Sequence, residues 1–236
     1  VIGLDGVPDQ QGNYAQSGFV LAWRNIRYGG VPQAMTQESD LTLEIVSAPD
    51  TALEELDRSV FPARRHGFWM DWLGAPGHLS IRARHGVETA GFGPLRPCRT
   101  GYKTGPMVAT SKAAAETVLA RLLQGVPAEE QVFLDVPEPN TAAVEIAEGL
   151  GLTPVFETAR MYRGSAPDVR LHLYAGVFCI QAAQVALDDC IGLGNLSAQD
   201  AVKGRLLLLE EPSHVQGSQL AELVPAPSPV EVMLLT

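Results

Sequence analysis

Apolar and polar residues alternate with period two across Phe19–Tyr28, Leu41–Val46 and Leu79–Ala83, which predicts half-buried strands. Val1–Leu4 is a short apolar run closed by Asp5-Gly6, a turn signal, and Val87–Gly93 reads as the hairpin partner of Leu79–Ala83. Tyr102–Ala109, Val132–Val136 and Val155–Tyr162 complete the predicted strands. Between them the period lengthens to that of a helix. Pro8–Ser17 reads as helical, with Pro8 near its first turn and Gly18 just past its end. Leu53, Leu56 and Val60 share one helical face, capped by Asp50 or Thr51, and Phe68, Trp69 and Trp72 share another within Arg64–Leu73. Ser111 caps a strongly periodic helix whose apolar stripe is Ala114, Val118, Leu119 and Leu122. Asn140 precedes the helix Thr141–Leu150, which Gly151 ends as a C′ glycine.

These elements fall into groups. Residues 1–30 spell strand–helix–strand, too small a unit to bury its own faces, so either something precedes it or it packs onto the rest. Residues 31–40 are polar and read as a linker. Residues 41–165 carry the order β-α-α-β-β-β-α-β-α-β, a three-strand meander followed by βαβαβ. That order predicts an α/β (α+β) domain with a mixed, mainly antiparallel sheet and helices on both faces. Residues 166–236 are left as an unassigned extension, in which Asp168–Leu193 is apolar enough to be buried and Ala201–Leu209 suits one helix or strand. Pro212–Pro229 is loop-like.

Composition narrows the class. The 236 residues are 46% hydrophobic and 19% charged, as in an ordinary globular protein. A formal net charge of -10 argues against a nucleic-acid partner, because phosphate binding needs concentrated Lys and Arg. The longest apolar runs, Ala175–Ile180 and Leu206–Leu209, are far shorter than the ~20 residues of a membrane span. Cys98, Cys179 and Cys190 are too sparse for a disulfide framework, and with the scattered histidines they offer no metal spacing. A reduced, cytoplasmic protein with no resident metal is the expectation. The chain opens at Val1, without an initiator Met and inside a predicted strand, which reads as a fragment of a longer protein.

Several short motifs then point to one family. Arg58–Phe61 with Arg64, Gly105-Pro-Met-Val-Ala109, Leu134-Asp-Val-Pro137 and Arg160-Met-Tyr-Arg-Gly164 occur in order with the helix Ala142–Leu152 between the last two. Together they resemble the second domain of two-domain GNAT (Gcn5-related) N-acetyltransferases of the YitH type. Leu4-Asp-Gly-Val-Pro8, Asn13-Tyr14, Ser17-Gly-Phe19 and Arg24-Asn-Ile-Arg-Tyr28 look like the final strand–helix–strand of the first domain of such proteins.

The resemblance implies acetyl transfer from acetyl-CoA to an amine, by direct attack of a neutral amine on the thioester. The acceptor it implies is a small-molecule or amino-acid-like amine, with no membrane partner and a homodimer as the assembly to test. It implies that Tyr14, four residues before Gly18-Phe19, protonates the leaving thiolate; an interfacial or core tyrosine is the plainer alternative. It places the CoA pyrophosphate loop at Met107, Val108, Ala109, Thr110, Ser111 and Lys112, with Asn140 at the start of the following helix. The helix dipole, two hydroxyls and Lys112 suit an anion, yet the stretch lacks the family's glycines, and Ser111 also suits a plain N-cap and Lys112 a solvated charge. No tyrosine stands four residues before Gly151-Leu152. A non-catalytic module that binds acyl-CoA, or serves as a domain interface, is therefore the alternative for residues 41–165. Among weaker candidates, Asp135 suits orientation of an amine or pairing of a loop N–H, Tyr162 suits the cleft or the closing strand, and Phe68, Trp69 and Trp72 suit an acceptor pocket or the core.

Overall fold

In the computed structural model, which describes residues 1–35, 39–61, 63–169, 171 and 233–235, caps and periodicity set the helix limits. In chain order the elements are β1 (Ile2–Gly6), α1 (Gln11–Gln16), β2 (Val20–Gly30), β3 (Thr42–Ile45), α2 (Thr51–Arg58) and α3 (His66–Leu73). They continue with β4 (Leu79–His85), β5 (Glu88–Pro97), β6 (Tyr102–Thr104), β7 (Val108–Ala109), α4 (Lys112–Leu123), β8 (Val132–Pro137), α5 (Thr141–Gly149), β9 (Thr153–Arg163) and β10 (Met233–Leu235). A 3₁₀ turn, Pro8–Gln10, leads into α1. Asp50, Ser111 and Asn140 each accept the N–H three residues on, starting α2, α4 and α5. Gly151 (φ 73°) takes the left-handed conformation that ends α5, where a side chain would be strained.

Two predictions are refined. Asp5-Gly6 does not turn the chain but extends β1, because both residues pair with β9. The single strand expected over Tyr102–Ala109 is two, β6 and β7, separated by Gly105-Pro106. Pro106 lacks the N–H that a continuous ladder would require. The expectations for Ala201–Leu209 and Pro212–Pro229, and nearly all of Asp168–Leu193, lie outside the described residues.

The strands form one sheet in the order β10-β1-β9-β2-β8-β6-β5-β4-β3, with β7 paired to β5. The β6–β8 and β1–β10 pairs are parallel and the others antiparallel. Helices cover both faces, and β7 shows it most directly, since neighbours on a strand point to opposite sides. Ala109 joins the core formed with Val118, Leu122 and Ile146 of α4 and α5, while Val108 joins Leu53, Trp69 and Phe92 under α2 and α3. The expected mixed, mainly antiparallel sheet between two helical layers is the fold observed.

Residues 1–30 stand inside that sheet rather than beside it. β2 separates β8 from β9, and β1 lies on the far side of β9. The two strand–helix–strand segments, β1-α1-β2 and β8-α5-β9, pair with mirrored register. Leu4 and Asp5 stand opposite Met161 and Arg160, as Leu134 and Asp135 stand opposite Tyr28 and Arg27. Where β2 meets β9, Arg27 faces Phe156 and Arg160 faces Trp23, with Asn25 and Thr158 opposite each other between them. The two register shifts, between Leu21 and Trp23 and between Arg27 and Tyr28, exchange under the same mirror. The two segments are thus related by a local two-fold axis through Asn25 and Thr158, and each gives its last strand to the other's ladder.

Candidate active site

β6 runs parallel to β8 only over Tyr102–Thr104 against Val132–Leu134. Beyond Gly105-Pro106 the chain stays beside β5, where Val108 and Ala109 pair with Phe92 and Gly91. β8 runs on through Asp135–Pro137, still paired with β2. The two parallel strands therefore part at their carboxyl ends, and each is followed by a helix whose N-terminus borders the opening. A crevice outside the carboxyl ends of diverging parallel strands, flanked by helix N-termini, is suited to a ligand carrying anions and amides.

The sequence-predicted cofactor residues fall on or beside β7, at the start of α4 and just before α5, and each has a local structural task. Met107, Val108 and Ala109 have buried side chains. Thr110 donates from both its N–H and its Oγ1 to the Ala90 carbonyl, at 2.8 and 3.1 Å. Ser111 Oγ accepts the Ala114 N–H at 3.2 Å and Asn140 Oδ1 the Ala143 N–H at 3.1 Å. Lys112 Nζ donates to Glu145 Oε2 at 2.7 Å, a bond between α4 and α5 that raises the lysine's pKa. The first-turn N–H groups of α4 that Ser111 leaves unused have no helical acceptor, as at any helix start.

Tyr14 sits elsewhere. Its ring packs against Gly6, where an added Cβ would lie 3.0 Å away, and meets Phe19 edge-on at 6.1 Å. Four strand steps separate β1 from β6, roughly 19 Å at about 4.8 Å each, so Tyr14 and the 107–112 stretch lie far apart along the sheet. The mirrored segments put Ala147 of α5 in the place of Tyr14, and that alanine is buried in the core.

The remaining candidates divide. Trp69 is a core residue, while Phe68 and Trp72 flank it half-buried and stack 5.3 Å apart. Tyr162 is buried against Gly3 and lies 5.9 Å from the Trp23 ring, and burial raises its pKa while Arg160 pulls it down. Asp135 is held by two basic side chains. It receives Arg27 through Nε and Nη2, at 2.6 and 3.1 Å, and Lys103 Nζ at 2.6 Å. Its mirror counterpart Asp5 receives Arg160 through the same two atoms, at 2.9 and 2.6 Å, and Asn25 Nδ2 at 2.9 Å. Burial raises the Asp5 pKa, against the downward pull of Arg160. These charged pairs were not foreseen. Their trace in the sequence is the repeated Leu-Asp of Leu4-Asp5 and Leu134-Asp135, each followed by an arginine near the end of the next strand.

A groove of about 570 Å³ runs along the other flank of α5. Tyr28, Val144 and Phe156 line its floor, with Glu138, Glu145 and Glu157 around them. Glu145 thus borders both the groove and the crevice.

Comparison with known proteins places this architecture. Residues 53–175 match the sequence profile of the acetyltransferase (GNAT) domain. Holothin acyltransferase of Pseudoalteromonas sp. (strain SANK 73390) is 27% identical over 171 residues, which cover 72% of this chain and 58% of that protein. A candidate acetyltransferase from Pyrococcus horikoshii superposes with a TM-score of 0.63 at 24% identity, over 75% of this chain and 58% of its own. A GCN5-related N-acetyltransferase from Anabaena variabilis superposes at 0.50 with 15% identity, over 67% and 45%. The chain spans 58% of both the curated relative and the first of these structures. The profile match extends over more than half of the sequence and agrees with the fold: the chain belongs to the GNAT acetyltransferase family.

Proposed function

We propose that the protein moves an acetyl group from acetyl-CoA to the amine of a small-molecule or amino-acid-like acceptor. The observation that carries this reading is the crevice where β6–β7 and β8 part beside the start of α4. A pantetheine arm would lie along the open edge of β7 as an added strand, its amides meeting backbone groups of Met107–Ala109. The pyrophosphate would meet the α4 N-terminus, Thr110, Ser111 and Lys112, after Lys112 leaves Glu145. The carboxylates around the adjoining groove favour a cationic acceptor through simple charge attraction.

Under the same reading, residues 1–30 are the end of a first GNAT unit, 31–40 a linker and 41–165 a second unit. The mirrored registers of β1-α1-β2 and β8-α5-β9 support this, as does the greater length of the relatives. Tyr14 would be the acid of the first unit. The second reading, a non-catalytic second unit, is favoured by two observations: Glu145 occupies Lys112, and Ala147 stands in the tyrosine position.

Calorimetric titration of the chain with acetyl-CoA tests whether this unit holds a donor site. Micromolar binding, weakened in Lys112→Glu, would support a working cofactor site at α4. Absence of binding at millimolar cofactor would remove the donor site from this unit and leave the non-catalytic reading.

A further inference from the structure

Three arginines of this fold share one habit. Arg27, Arg65 and Arg160 each offer the fork formed by Nε and Nη2 to a carboxylate, those of Asp135, Asp57 and Asp5. That edge carries two parallel N–H groups and matches a planar anion better than any other part of the side chain. Arg96 of β5 is built the same way, but among the described residues no acid meets its fork. It is 8% exposed, yet within those residues Nε and Nη2 have no hydrogen-bond partner. Nη1 makes a long bond to the Pro97 carbonyl at 3.4 Å.

The surroundings deepen the imbalance. Lys103 stands directly across the ladder on β6 and is 3% exposed, with its ammonium committed to Asp135. Two buried cations facing each other across antiparallel strands repel unless an anion lies between them. On the remaining side are Trp72, its ring 5.7 Å from the Arg96 guanidinium carbon, and His78, which donates from Nδ1 to the Trp72 carbonyl. Burial holds the His78 pKa below its usual 6.5, and Arg96 contributes to the same shift. Trp72 is only half-buried and is tethered through its indole N–H to the Gly105 carbonyl at 3.3 Å.

We infer that Arg96 anchors an anion subsite beneath Trp72, where its Nε–Nη2 fork takes the carboxylate or phosphate of a ligand. The subsite lies on the α3 side of the sheet, one residue from the crevice through the Trp72–Gly105 bond, and it holds whether or not this unit transfers an acyl group. Because Trp72 is the roof, occupation changes its environment and is read as tryptophan fluorescence.

The test titrates the chain with acetate and, separately, with inorganic phosphate, followed by fluorescence and calorimetry. A saturable response to either is expected, weakened roughly tenfold or more in Arg96→Gln and partly retained in Arg96→Lys, which keeps the charge and loses the fork. Trp72→Phe should remove the optical signal while the heat of binding persists. Saturation by acetate alone assigns the subsite to a carboxylate, and by phosphate alone to a phosphate. The inference is overturned if neither anion saturates a signal at millimolar concentrations, or if Arg96→Gln responds like the wild type. It is also overturned if phosphate binding is lost in Lys112→Glu and kept in Arg96→Gln, which would put the anion at the start of α4.

Discussion

Arg160 is 1% exposed, and Asp5 meets its guanidinium with two hydrogen bonds that offset the cost of burying the charge. Arg160→Met should therefore destabilise the fold by about 3–5 kcal/mol by leaving a buried carboxylate without its counterion. The double variant Arg160→Met, Asp5→Leu should recover most of that loss, since neither charge is then buried. Urea unfolding of the two variants checks this, and equal instability would mean that packing, not charge, dominates the site. His78 makes a second prediction at this scale. Its folded pKa lies below the unfolded value near 6.5, chiefly because burial disfavours the charged ring. The stability it contributes is fully present above that unfolded value and is lost as pH falls through the folded one. Unfolding midpoints followed from about pH 8 to pH 5 should decline, and His78→Gln should flatten the decline.

The helices obey local rules. α4 begins at Ser111, whose Oγ takes an otherwise orphan N–H, and buries Ala114, Val118, Leu119 and Leu122 in a single stripe. Ser111→Ala should cost about 1 kcal/mol, and Asn140→Ala, at the start of α5, a similar amount. Thermal melts of each variant measure these losses. The same substitutions also separate capping from cofactor binding. If Ser111 only caps, the alanine variant loses stability and keeps whatever affinity for acetyl-CoA the chain has. A fall in affinity beyond the fall in stability would bring its hydroxyl to the pyrophosphate.

For the molecule as a whole, the decisive contact is the insertion of β2 between β8 and β9. It supplies ladder partners to both strands and brings Arg27 to Asp135. Removing residues 1–30 should therefore expose the edges of β8 and β9 and leave Asp135 without its arginine. Exposed edges of that kind pair with other chains. Residues 31–236 alone should show no cooperative thermal transition by circular dichroism and should aggregate on size exclusion. A sharp transition at the temperature of the intact chain would mean that residues 1–30 only lean against a self-sufficient domain. The mirrored register argues the other way, because each half of the β1–β9–β2–β8 ladder is completed by a strand from the other.

What could be read from the chain alone was local in its physics. Period, caps and turn glycines located the helices and most strands, because those signals depend on neighbours a few residues away. The fold class followed from the order of elements, and the α4 start was visible in Ser111 and its apolar stripe. The break at Gly105-Pro106 was written in the sequence but passed over, since the strand pattern on either side reads as continuous. Beyond the β4–β5 hairpin, pairing was not legible, because period two says which residues share a face and nothing about which strand lies alongside. So the packing of residues 1–30 was left open, and the acids and arginines that join it to β8 and β9 were not paired with one another. Arg96 shows the same limit in reverse. One arginine in a strand looks like any other until the sheet buries it opposite Lys103 with no carboxylate on its fork among the described residues, a fact that only the packing of strands from distant parts of the chain decides.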